Sequence, residues 1–352
     1  MVPIFIASTC GHSGKTFMAL GLAMRLTELG YKVGYLKPVG KTPLKKGSRI
    51  VDADAVFMKD ALSLPEPLEV ISPFVLSYEA QNMIYDGKIK EITGRVKSSL
   101  AALKAKDFVI IGGGADFFEG SLVGGDALSL IEEVRAFVLV VEPWTGDLSA
   151  DSIFGCFRLF GKRLMGAVIN KVPSASLRHV KETVMPFIEK KGVKILGVFH
   201  KDGVLESFTV RQLNDVLRGK VLCCEEGLDE LVENYLIGAM DVDSALKYFR
   251  RTPKKAVITG AHRSDIQLAA LETSTKCIIL TGGLYTNSVV IAKAQSRGVP
   301  IISVSEDTFT TIDRIESVMG KATIRDNVKI TRVKEMIDME FDIKRFLKSL
   351  KP

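Results

Sequence analysis

Residues 3–20, PIFIASTCGHSGKTFMAL, decide how the rest of the chain is read. They run from an apolar strand, through a turn of small residues ending Gly14-Lys15-Thr16, into an apolar helix start. Such a turn is a phosphate cradle. Backbone N–H groups of Thr9, Gly11, His12, Ser13 and Gly14 and of the helix N-terminus converge on an anion; the Lys15 ammonium adds a point charge, and the Thr16 hydroxyl can hold Mg2+. The flanking strand and helix are the context that a chance Gly-Lys-Thr lacks. One residue departs from the strict pattern: Thr9 stands where Gly is expected, with the small Ser8 one position earlier. The plainer alternative is a strand-to-helix turn with Lys15 facing solvent.

Working outward, residues 17–29 carry Leu20, Leu22, Ala23, Leu26 and Leu29 at near-helical spacing, stopped by Gly30. Residues 32–35 read as a strand leading into Leu36-Lys37-Pro38. That puts Lys37 on the cradle's rim, where open parallel sheets bind ligands, and makes Lys37 a candidate catalytic cation beside Lys15. Further apolar strands are expected at 108–111, 136–141, 165–169 and 193–198, running into Gly112-Gly113-Gly114-Ala115-Asp116, Glu142-Pro143 and Asn170-Lys171. The alternation argues for an α/β fold with a mostly parallel, doubly wound sheet. Residues 201–221 read as a junction and 228–237 as a helix. From Lys255 the pattern is strand, loop, helix three times, with strands at 256–259, 277–280 and 300–304. Their loops, including Ala261-His262-Arg263 and Thr281-Gly282-Gly283, should meet at one rim and form a second pocket.

The whole chain sets the outer bounds. Its 352 residues suggest two domains, and 47% hydrophobic with 25% charged residues is ordinary globular composition. A net charge of +7 invites a nucleic-acid partner, but the basic residues are scattered and not interleaved with aromatics, so none is expected. Five cysteines without metal-ligand spacing read as reduced thiols of a cytoplasmic protein. No apolar run reaches membrane-spanning length, and the N-terminal apolar stretch lacks a basic leader.

On these motifs, residues 3–199 resemble the dethiobiotin synthetase-like branch of phosphate-loop proteins, which includes the cobyrinic acid diamide synthases. In that branch the loop opens with a small residue where Ser8 stands. The resemblance implies that Lys37 faces substrate and phosphate, that Asp54 joins Thr16 at Mg2+, and that Asn170 borders the nucleotide base. The signature Lys of partition-type ATPases would fall at Cys10, which argues against that branch. Residues 207–328 resemble a DRTGG domain, with Thr281-Gly282-Gly283 intact and Ala261-His262-Arg263 where the family has Gly-Asp-Arg. His262, Arg263, Thr281, Gly282 and Gly283 are then candidates for a second, small anionic ligand, and the domain implies a homodimer. The pairing of these domains is that of the N-terminal region of long phosphotransacetylases, and the chain stops where their acetyl-transfer domain would begin. The expected division is a nucleotide-binding domain at 1–204, a DRTGG domain at 205–328 and a basic helical tail at 329–352.

Three function classes follow: a nucleotide-sensing regulatory protein using ATP and Mg2+, an ATP-dependent ligase activating a carboxylate, and an interaction scaffold. Gly112 weights the first over the second. The resembled synthetases carry a Mg2+-binding Glu after this strand, and losing it removes charge stabilisation while leaving backbone phosphate binding in place. Asp116 or Glu119 could substitute; a side chain at 112 is expected to point at the metal.

Overall fold

The computed structural model describes residues 1–47, 49–318, 324 and 326–350. The chain divides into two compact units, Met1–Lys201 with Ile324–Pro352, and Asp202–Thr323.

In the first unit, β1 (Val2–Ala7), β2 (Val33–Leu36), β5 (Phe108–Gly112), β6 (Phe137–Pro143), β7 (Leu164–Val172) and β8 (Ile195–His200) form one sheet in the order β2-β5-β1-β6-β7-β8. Every neighbouring pair is parallel. A small antiparallel hairpin, β3 (Pro43–Lys46) and β4 (Arg49–Asp52), stands outside this sheet. The strands are runs of Val, Ile and Leu because parallel strands are buried on both faces. Ile4, Ile6, Val109, Ile110, Val138–Val141 and Ala167–Ile169 are all inaccessible to solvent.

Helix α1 (Lys15–Glu28) follows β1 directly and buries eight residues from Phe17 to Leu26. It is apolar nearly all round because a second helix, Asn327–Glu340, lies against it. A Cβ at Gly21 would come within 2.3 Å of Ile337, so only glycine permits this approach. The C-terminal segment, expected as a basic helical tail, is helical and packed: Val333, Met336, Ile337, Phe341 and Phe346 are buried.

The second unit holds β9 (Phe208–Thr209), β10 (Lys220–Cys223), β11 (Leu231–Val232), β12 (Asn234–Ile237), β13 (Lys255–Gly260), β14 (Thr275–Thr281) and β15 (Ile301–Ser303). Five of these form a sheet in the order β10-β15-β14-β13-β12, parallel except for the edge strand β10. Separate apolar clusters cover its faces, one around Phe249, Ile278 and Ile301 and another around Leu213, Ile279 and Ile302. The expected helix at 228–237 is not there. Its apolar residues, Leu228, Leu231, Val232, Tyr235 and Leu236, match helical spacing, but 234–237 pairs with Lys255–Ile258 as an added parallel strand. The open slot beside β13 outweighs local periodicity.

Candidate functional site

Strand order places the cradle. Connections from β1 leave toward β2 on one side, while β5 and β6 flank β1 on opposite sides, so a crevice opens at the carboxyl end of β1. There Ser8 and Ser13 are buried, His12 adopts φ 55° and Gly14 φ 101°, and α1 starts at Lys15. Gly14 has two reasons to be glycine: its left-handed conformation, and Asn170 Nδ2 only 2.0 Å from where a Cβ would stand. The Asn170 amide donates to the Ser13 carbonyl at 2.8 Å and braces the turn from β7. The Ser8 hydroxyl accepts from Cys10 N at 3.2 Å, and Thr16 is exposed on the first turn of α1.

Lys15 folds back into this turn. Its Nζ donates to Cys10 O at 2.9 Å, Ala115 O at 2.8 Å and Ser13 Oγ at 3.2 Å. Burial pulls its ammonium down from 10.5 to about 8, against the attraction of Glu119, Glu142 and Asp116 nearby. It is still a cation at pH 7, consistent with three accepting oxygens around it.

Lys37 and Asp54 do meet at the rim, but as partners of one another: Lys37 Nζ lies 2.6 Å from Asp54 and 3.4 Å from Asp52. Burial lowers the Lys37 ammonium, but Tyr35, Asp54 and Asp52 outweigh that and hold it above its ordinary value. Asp52 is a structural carboxylate, accepting from Ala55 N and Thr42 N.

At position 112 a Cβ would come within 2.5 Å of the Tyr35 hydroxyl, so any side chain there would have to displace that phenol. Tyr35 is buried, and burial pushes its phenol up to about 12. Of the two substitute acids, Asp116 Oδ1 accepts from Phe118 N and Glu119 N and so caps its own turn. Glu119 turns under the loop, accepting from Ala115 N and from Lys41 Nζ at 2.8 Å.

Glu142 is a further acid that sequence reasoning passed over. It is buried at the end of β6, accepts from the Thr9 hydroxyl at 2.6 Å, and burial raises its carboxyl above the usual range. A carboxylate directly after a fully apolar strand was the signal for it.

In the second unit the loops after β13, β14 and β15 do converge. Gly282 N donates to Glu306 O and Gly283 N to Val304 O, both glycines at positive φ. Thr281 pairs with Thr308 at 3.0 Å. Arg263 forks onto Asp265 at 3.0 Å and also reaches Met240 O at 2.9 Å, while His262 is exposed. The two glycine amides and one side of the guanidinium thus bond within the unit.

Residues 3–208 match the AAA domain family, and residues 212–318 match the DRTGG domain family. The chain belongs to the AAA domain family. It is of the dethiobiotin synthetase-like, phosphate-loop kind and carries a DRTGG domain. An ATP-dependent dethiobiotin synthetase of Clostridium kluyveri is 30% identical over 206 residues, covering 55% of this chain and 72% of that protein. A phosphate acetyltransferase of Synechocystis is 21% identical over 365 residues, 99% of this chain and 52% of that protein. The chain spans about half the length of the phosphate acetyltransferases it matches. Among solved structures, the CBS and DRTGG regulatory region of a Clostridium perfringens pyrophosphatase, complexed with its activator diadenosine tetraphosphate, covers 39% of this chain and 64% of that one. Its TM-score is 0.30, with 22% identity.

Membership in this family implies nucleotide binding, with Mg2+ as its usual companion ion, and the turn after β1, Lys15 and the exposed Thr16 are residue types that would fit both. Among the described residues no cluster of three His, Cys, Asp or Glu could hold a metal ion alone. That is compatible with Mg2+, which takes most of its ligands from phosphate and water and few from protein. No helix among the described residues is long and apolar enough to cross a membrane.

Proposed function

We propose that the chain is an ATP-binding regulatory protein of the cytoplasm, binding MgATP at the cradle and turning it over slowly. Its DRTGG unit would sense a small ligand or form a homodimer, with neither nucleic acid nor membrane as partner. The observation that carries this reading is Tyr35 against Gly112. The strand beside the cradle ends without an acid, and the space a side chain would need holds a phenol. Bound Mg2+ would neutralise phosphate charge. In this chain Lys15 would leave its three oxygens for the phosphates, Asn170 would hold the turn, and Glu142 would fix Thr9. That equipment binds and orients a nucleotide, while an acid fixed on the strand beside the cradle, which would stabilise the charge of phosphoryl transfer, is absent at position 112.

A second reading, a ligase activating a carboxylate, is favoured by one feature. A cavity of about 610 Å3 is lined by Arg49, Ile50, Val51, Asp52, Leu68, Glu69 and Ser72, next to the Asp52 that touches Lys37. The Ser72 hydroxyl in its wall is buried and has no hydrogen-bond partner. Measuring phosphate release on saturating MgATP separates the two. The regulatory reading predicts turnover well below about 1 s⁻¹, the low end for ordinary enzymes. Brisk release, or release stimulated by a small carboxylic acid, would favour the ligase.

A further inference from the structure

Four buried side-chain atoms among the described residues have no hydrogen-bond partner, and one of them, Glu119 Oε1, belongs to the cradle's surroundings. An unpaired buried carboxylate oxygen is costly, because its hydration is lost and nothing replaces it. The other oxygen of the same group is fully used, by Ala115 N and Lys41 Nζ. Those two contacts fix the carboxylate under residue 115, the residue whose carbonyl accepts from Lys15 Nζ. Ala115 in turn stands over the phosphate turn, its Cβ 3.8 Å from where a Cβ at Gly11 would lie. The Gly114 Cβ position meets Glu119 at 2.8 Å, so glycine at 114 is what lets the acid tuck in so closely.

The other acids near the rim have different employment. Asp54 is held by Lys37, Asp116 caps its turn, Glu142 holds Thr9, and position 112 is closed by Tyr35. We infer that Glu119 is the carboxylate this chain turns toward the Mg2+ of a bound nucleoside triphosphate, directly or through a metal-bound water, in place of an acid at the end of β5. The inference rests on reading the cradle as a MgATP site. Lys41, at 45% side-chain exposure, competes for the same group and restrains it. Mg2+ prefers oxygen donors and keeps several waters, so it calls for few protein ligands.

The test compares ATP binding by calorimetry with Mg2+ and with EDTA, in the wild type, Glu119→Gln and Lys41→Ala. Gln can still accept from Ala115 N, so the loop is expected to keep its form. The expected result is that Glu119→Gln leaves metal-free ATP affinity unchanged and cuts the Mg2+ enhancement roughly tenfold to a hundredfold, the range seen for groups that support a metal. Lys41→Ala, which frees the acid, should raise the enhancement. It keeps the inference testable if the Gln variant does not fold. An unchanged Mg2+ enhancement in a folded Glu119→Gln, or in Lys41→Ala, overturns the inference. Failure of the wild type to bind ATP at all would instead overturn the cradle reading on which it rests.

Discussion

Lys15 is where charge, burial and function meet at the scale of one residue. Its ammonium is pulled from 10.5 to about 8 by burial, so between these values the folded chain binds fewer protons here than the unfolded chain does. This residue's contribution to stability therefore rises with pH through that window. Nucleotide affinity should move the opposite way, since phosphate must meet the charged form. Calorimetry in buffers of different ionisation heat should find little proton uptake on ATP binding near pH 7, approaching one proton near pH 9, with weakening affinity. A constant affinity with no proton uptake across that range would show that the Lys15 ammonium is not the phosphate's partner. Position 112 makes a companion point: the sequence shows a missing acid, and only the structure shows that Tyr35 fills the space.

At the scale of elements, the cradle's rigidity depends on α1, and α1 depends on the helix Asn327–Glu340. Arg25–Asp338 and Glu28–Lys334 contacts flank the seam, but exposed ion pairs contribute little beside the buried Ile337 against Gly21. Ile337→Ala should cost about 2–5 kcal/mol of stability in urea titration, as large-to-small core changes do. A loss within experimental error would mean that the C-terminal helix is not part of the first unit's core. The strands of the first unit were legible because parallel strands buried on both faces leave unbroken apolar runs. Residues 228–237 were not, because a short strand with apolar residues at helical spacing is told from a helix only by the neighbour it pairs with. The partner of Glu142 was beyond reach for a related reason: Thr9 and Glu142 are 133 residues apart, and no local pattern announces which residue that carboxylate will hold. The packing of the C-terminal helix was legible in principle from Val333, Met336 and Ile337, whose spacing marks one face, but its many charges masked it.

Across the whole molecule, each unit has its own sheet and apolar core, which is what allows one to be tested without the other. The fragment 202–323, without the C-terminal helix that belongs to the first unit, should unfold cooperatively on its own and form a symmetric dimer, the commonest closed arrangement. Light scattering showing only monomer at micromolar concentration would count against the dimer, and a non-cooperative transition against independent folding. At the centre stands the proposed binding of MgATP by the first unit's cradle through Lys15. Its most direct test is calorimetric titration of ATP with Mg2+ into the full chain and into Lys15→Ala. The wild type should bind, and the variant should bind at least about tenfold more weakly, roughly 1.4 kcal/mol. Equal affinity in the two proteins would contradict it.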